Sequence, residues 1–138
     1  MSVPIIANRD LCKAMFIANT IKDLGHELVS SWVVSADPGF TLTPTKVLDR
    51  DMNGVKNSDV IVAETSVPSH GVGMEIMLAH LKKKRIVCLY RKGTRISRMI
   101  LGIPGAYLIE YTRDQDLLES LKETLMRIYT DEAYFADN

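Results

Sequence analysis

Val60-Ile61-Val62-Ala63-Glu64-Thr65-Ser66-Val67-Pro68-Ser69-His70-Gly71-Val72-Gly73-Met74-Glu75 is the stretch that decides the fold. Its first four residues form an unbroken apolar run, the pattern of a strand covered on both faces in a parallel sheet. Polar and turn-forming residues follow, then two glycines, then an apolar helical pattern that starts after Gly73 and runs to about residue 83. This order places Glu75 on the first turn of a helix, at the carboxyl end of a parallel strand. Open α/β sheets bind ligands in that crevice. The helix's positive end would keep the carboxylate ionised there, and Gly71 and Gly73 would let a ligand come close to the backbone.

The same alternation continues on both sides, as expected of βαβ units. A first strand is predicted over residues 3–7, then a helix over 11–24 with Met15, Phe16, Ile21 and Leu24 as its apolar face and Gly25 as its stop. A second strand covers 26–34. Residues 35–45, with Pro38, Gly39 and Pro44, form the longest irregular segment, of a length typical of lids and binding loops. A helix over 46–56 leads to a third strand at 59–63. Beyond the central helix come a fourth strand at 85–90, a short helix at 97–101, a fifth strand at 106–109 and an amphipathic helix at 114–128; the remaining tail stays open. The expected architecture is one domain over residues 1–138. Its class is α/β, a flavodoxin-like (Rossmann-like) three-layer fold whose five-stranded parallel sheet runs in the order 2-1-3-4-5 with right-handed crossovers.

At 138 residues and 46% hydrophobic, the chain can bury a real core. Seventeen basic residues balance seventeen acidic ones, which argues against a generic polyanion binder. The one basic cluster, Lys82-Lys83-Lys84-Arg85, reads as a solvated helix end. Cys12 and Cys88 have no metal-ligand spacing and look reduced. No signal peptide is visible, and no apolar run approaches the ~18 to 20 residues of a membrane span. A cytoplasmic location, away from any membrane, is the expectation.

Asp51 precedes Met52 and Val55, which would face the sheet, so it lies near the core edge; Glu64 ends the third strand. Two or three carboxylates at one cleft could cleave a glycosidic bond, one attacking the anomeric carbon while another protonates the leaving group. By spacing alone they read equally well as solvated charges and a helix-start glutamate.

From residue 48 to 102 the chain resembles the nucleoside 2-deoxyribosyltransferase superfamily. Asp51-Met52-Asn53-Gly54-Val55-Lys56-Asn57-Ser58-Asp59 is similar to that family's helix-to-strand segment, and Gly71-Val72-Gly73-Met74-Glu75 to its nucleophile motif. Val62-Ala63-Glu64-Thr65-Ser66-Val67-Pro68-Ser69, just before that motif, looks most like the 2′-deoxynucleoside 5′-monophosphate N-hydrolases. The resemblance implies a retaining mechanism without metal or organic cofactor. Glu75 would form a covalent glycosyl ester, with Asp51 as general acid to the departing base and the two carboxyl groups about 5 to 5.5 Å apart. Ser69 and Ser97 stand where transferases acting on free nucleosides carry an aspartate and an asparagine. A serine hydroxyl can donate to a 5′-phosphate that an aspartate would repel. In the resembling hydrolases the serine at the position of Ser97 comes from the neighbouring subunit, which implies a homodimer. Ser97 also reads as a helix N-cap, and Ser69 as a partner for local backbone donors.

The N-terminus departs from the family: Pro4-Ile5-Ile6-Ala7-Asn8-Arg9-Asp10 lacks its aromatic residue and its glycine. Asn8 and Arg9 fall at its phosphate loop, where backbone N–H groups and a guanidinium suit a phosphate. His70 stands beside the expected sugar, as a base-stacking or proton-transferring group or as an exposed loop histidine. The expected partner is a small nucleotide rather than a nucleic-acid polymer. A base-exchanging transferase and a nucleotide-binding module with little chemistry are the rivals. Ser69→Asp tests the phosphate argument: turnover of monophosphates falls much more than turnover of nucleosides in parallel kinetic assays, and an equal loss on both removes the phosphate role from Ser69.

Overall fold

The computed structural model describes residues 2–3, 5–6, 11–29 and 41–136. In chain order its elements are β1 (Ser2–Val3), β2 (Ile5–Ile6), α1 (Leu11–Asp23), β3 (Glu27–Leu28), α2 (Pro44–Lys56), β4 (Val60–Glu64), α3 (His70–Leu81), β5 (Arg85–Arg91), α4 (Arg98–Leu101), β6 (Tyr107–Tyr111) and α5 (Asp114–Ala136). All described strand pairs are parallel. They form a four-stranded sheet in the order β2-β4-β5-β6 and a two-stranded ladder β1-β3. The expected first strand is thus represented by two short pieces, Ser2–Val3 paired with Glu27–Leu28, and Ile5–Ile6 paired with Val62 and Ala63. Residue 7, residues 30–34 of the expected second strand and residues 35–40 of the irregular segment lie outside the described residues.

β4 is the reason the fold holds together. All five of its residues are buried, and its side chains alternate between two cores. Val60 and Val62 pack with Ile17 and Ile21 of α1 and with Leu117, Leu121 and Leu125 of α5. Ile61 and Ala63 pack with Val55 of α2 and with Val72, Ile76 and Ala79 of α3. Helices therefore cover both faces of the sheet, giving three layers.

Several boundaries differ from the sequence reading for local reasons. α2 starts at Pro44 because Thr43 caps it, its hydroxyl accepting from Lys46 N at 3.3 Å, with proline at the first turn where no N–H is needed. α1 turns Ala14, Ile17, Ala18 and Ile21 to the sheet, and Met15, expected on that face, is exposed. Gly25 does stop the helix, at a φ of +81°. β6 runs two residues further than expected because its pairing with β5 continues through Tyr90↔Glu110 and Arg91↔Tyr111. α5 continues to Ala136, across a stretch free of glycine and proline.

The basic cluster sits where expected: Lys82 and Lys83 are exposed, and Lys84 Nζ donates to the Lys56 carbonyl at the end of α2 at 3.0 Å. Burial pushes the Cys88 thiol up to about 11, so it packs as a small apolar group. Leu121 is 1% exposed, and Leu121→Ala is expected to lower unfolding free energy by about 2–5 kcal/mol in urea denaturation. A loss well under about 1 kcal/mol would show that α5 is not part of the cooperative core.

Candidate active site

Two helices that pack side by side on one face of the sheet, α2 and α3, carry the facing carboxyl groups. Ser69 caps α3, its Oγ accepting from Val72 N at 3.4 Å. The helix consequently opens at His70, and Gly71 and Gly73 lie inside its first turn rather than in a loop before it. Neither glycine has a positive φ. What they supply is space: a Cβ at Gly73 would meet nothing within 4 Å, and one at Gly71 only Ser69 Oγ at 4.0 Å. At positions 71 and 73 the amino end of α3 therefore presents bare backbone.

Glu75 falls on the second turn of α3, not the first, and its charge state corrects the sequence expectation. Burial, with Asp51's negative charge second, pushes the Glu75 carboxyl up to about 8, and Arg50 opposes the shift. The free protein thus holds Glu75 protonated at neutral pH; a dipole that fades beyond the first turn does not outweigh burial beside a like charge. Asp51, three-quarters buried, accepts from Arg50 Nε at 2.8 Å. Arg50 is a member of the site that the sequence reading missed, though it adjoins Asp51 in the chain.

Glu64 is not the third member of this group. By strand alternation its side chain belongs with Val60 and Val62, on the α1/α5 face. It is buried and accepts hydrogen bonds from the Tyr111 hydroxyl and, at 2.6 Å, from Ser66 N. The sheet separates it from Glu75. Ser97 is exposed and caps α4, its Oγ accepting from Met99 N at 3.2 Å, as its N-cap reading expected, and Ser69 likewise serves a local backbone donor. His70 is exposed at the amino end of α3. Asn8 and Arg9 lie outside the described residues. Among the described residues no group of three or more His, Cys, Asp or Glu could hold a metal ion, and no helix is long and apolar enough to cross a membrane.

No family model matches the chain. A Methanosarcina mazei protein with the provisional name 2′-deoxynucleoside 5′-phosphate N-hydrolase 1 is 36% identical over 116 residues, covering 80% of this chain and 70% of that protein. The 5-hydroxymethyl-dUMP N-hydrolase of Branchiostoma floridae is 40% identical over 80 residues, 55% of this chain and 76% of that protein. In fold, the CMP N-glycosidase of Clostridium botulinum superposes with a TM-score of 0.71 at 20% identity, over 88% of this chain and 98% of that one. A three-layer α/β fold with these relatives is that of an N-glycosyl hydrolase. The chain belongs to the 2′-deoxynucleoside 5′-phosphate N-hydrolase family.

The raised Glu75 value has a measurable consequence for stability. In the unfolded chain Glu75 loses its proton near its ordinary value of 4.5, whereas the folded chain holds the proton up to about 8. The folded state therefore binds the extra proton between those values, and stability falls as pH rises through that window. Glu75→Gln abolishes this dependence. Melting curves should show the variant on the order of 5 °C more stable than the natural chain near pH 9, with the two equal near pH 4. Equal melting temperatures at both pH values would place Glu75 in ordinary solvent.

Proposed function

We propose that the protein hydrolyses the base–sugar bond of 2′-deoxynucleoside 5′-monophosphates, releasing free base and deoxyribose 5-phosphate. The observation that carries this reading is the Glu75–Asp51 pair, in which Asp51's negative charge adds to burial in raising the Glu75 carboxyl. In the free protein a proton rests on Glu75. Positive charge developing at the anomeric carbon favours the ionised form of whichever carboxyl faces it, so substrate draws the proton from Glu75 to Asp51.

The chemistry then follows in two balanced steps. A Glu75 oxygen forms a bond to the anomeric carbon as the carbon–nitrogen bond breaks, and Asp51 gives its proton to the departing base. Water next attacks the same carbon, Asp51 takes its proton, and the ester breaks to regenerate the Glu75 carboxylate. Arg50, on Asp51, steadies Asp51 whenever it is ionised.

Phosphate recognition falls to Ser69, to Asn8 and Arg9, and to the partner subunit's Ser97 in a homodimer. Gly71 and Gly73 keep the α3 end clear for the sugar, with His70 beside the base. In the same reading the first strand passes through both β1 and β2, uniting the two ladders as one sheet of order 2-1-3-4-5. A single cytoplasmic domain needing no cofactor, acting on a free nucleotide rather than a polymer, completes the proposal. Support comes from the curated relatives, one of whose names includes 5-hydroxymethyl-dUMP.

The test is incubation with each 2′-deoxynucleoside 5′-monophosphate and the matched nucleoside, following base and sugar by chromatography. Release from monophosphates alone is expected, reduced about 10³-fold or more in Glu75→Gln. Release from nucleosides that accelerates with an added acceptor base makes the protein a transferase. Nucleotide binding without release, unchanged in Glu75→Gln, makes it a binding module.

A further inference from the structure

β4 ends at Glu64, and the turn that follows is tied to the ends of both strands beyond it. Glu64 is 7% exposed. One of its carboxylate oxygens accepts from Ser66 N at 2.6 Å, the other from the Tyr111 hydroxyl at the end of β6. Ser66 Oγ accepts in turn from Arg91 N, at the end of β5, at 2.9 Å. The side chains of Arg91 and Ser66 also bond the Tyr111 phenol. From the α1 side, the Lys13 ammonium lies 5.1 Å from the Tyr111 ring centre and pairs with Asp114. The bonds thus run in a closed circuit through Glu64, Ser66, Arg91 and Tyr111. Among the described residues every buried side-chain nitrogen and oxygen has a hydrogen-bond partner.

Packing alone does not call for such a circuit. A buried carboxylate is retained only when it is bonded, and an apolar side chain could fill the same face beside Val60 and Val62. A fully satisfied polar network instead fixes one arrangement. What it fixes here is the departure of α3 from the sheet. Val72, Ile76 and Ala79 seat that helix by apolar burial, which is non-directional. Hydrogen bonds at the corner are directional and set where the Ser69 cap begins the helix. Asp51 rides on α2, which leads into the opposite end of β4. The two carboxyl groups are therefore carried by helices attached to opposite ends of one strand. Their mutual placement depends on how α3 leaves it.

We infer that Glu64 and Tyr111 are positioning residues for the N-glycosyl hydrolase reaction, acting through the β4–α3 corner to hold Glu75 in register with Asp51. The inference rests on the hydrolase reading of Glu75. Neither residue meets substrate, since the sheet stands between Glu64 and Glu75.

Tyr111→Phe keeps the ring and removes only the hydroxyl, and Glu64→Gln keeps the shape and one accepting oxygen. Each should lower kcat for base release from a 2′-deoxynucleoside 5′-monophosphate about tenfold or more, with Glu64→Ala worse than Glu64→Gln. The double variant should lose little more than the worse single one, because both act through one bond. A readout independent of turnover is the Glu75 carboxyl, followed by ¹³C NMR in the substrate-free protein. Its midpoint is expected near 8 in the natural chain and closer to 4.5 in Tyr111→Phe. Leu121→Ala, which loosens the same face of the sheet, should keep kcat within about twofold and leave that midpoint in place. An unchanged kcat and midpoint in Tyr111→Phe would overturn the inference. So would an equal loss in Leu121→Ala at a temperature where both variants are folded. Absence of turnover in the natural chain, with the midpoint still moved by Tyr111→Phe, would refute the hydrolase reading and leave the corner's hold on Glu75 intact.

Discussion

A strand with no free side governs this molecule. β4 is hydrogen-bonded to β2 on one edge and β5 on the other, and its faces are filled by two separate pairs of helices. Burial of this kind leaves the chain one place to do chemistry, where the strand ends. There the backbone is still held: Thr65 N and Oγ1 both donate to the Leu89 carbonyl, at 2.7 and 3.0 Å, and Ser66 is fastened between Glu64 and Arg91. The connection to α3 is therefore a rigid mount, and the cap at Ser69 fixes where Glu75 appears one and a half turns later. A side chain on such a mount is placed before any ligand arrives.

Strand alternation places one carboxyl group and helix α3 the other. Glu64 goes to the α1/α5 side, where a tyrosine and a backbone amide hold it, and Glu75 goes to the α2/α3 side, where it meets another acid. One environment engages a charge with donors; the other suppresses it by burial and a like neighbour. Similar side chains thus acquire different surroundings from the side of the sheet each lies on.

Much of this was legible in the sequence. The apolar runs at Val60 and Ile86 are too continuous for an exposed strand, and the alternation of strand and helix needed no tertiary information. The motif around Glu75 and the segment around Asp51 singled out two carboxyl groups that the packing of α2 against α3 brings within each other's electrostatic reach. Other features were hidden because they depend on packing or on local caps. Glycines at 71 and 73 look like a turn until Ser69's hydroxyl reaches Val72 and starts the helix early. Glu75's protonation comes from α2 lying against α3, which no window of sequence contains. The placement of Glu64 was a missed opportunity rather than a hidden fact, since its spacing of two from Val62 assigns it to the α1/α5 face. Thr43 followed by Pro44 likewise spelled a helix start that the loop reading absorbed.

Both cap serines use their oxygen as an acceptor toward the helix they begin, Ser69 toward Val72 and Ser97 toward Met99. A hydroxyl engaged in that way has its proton left to give and one lone pair fewer to offer. Each cap keeps its proton for a group that accepts and a single lone pair for one that donates. A helix start that exists to terminate a backbone thereby also acquires a hydrogen-bonding polarity of its own, before any charge is counted.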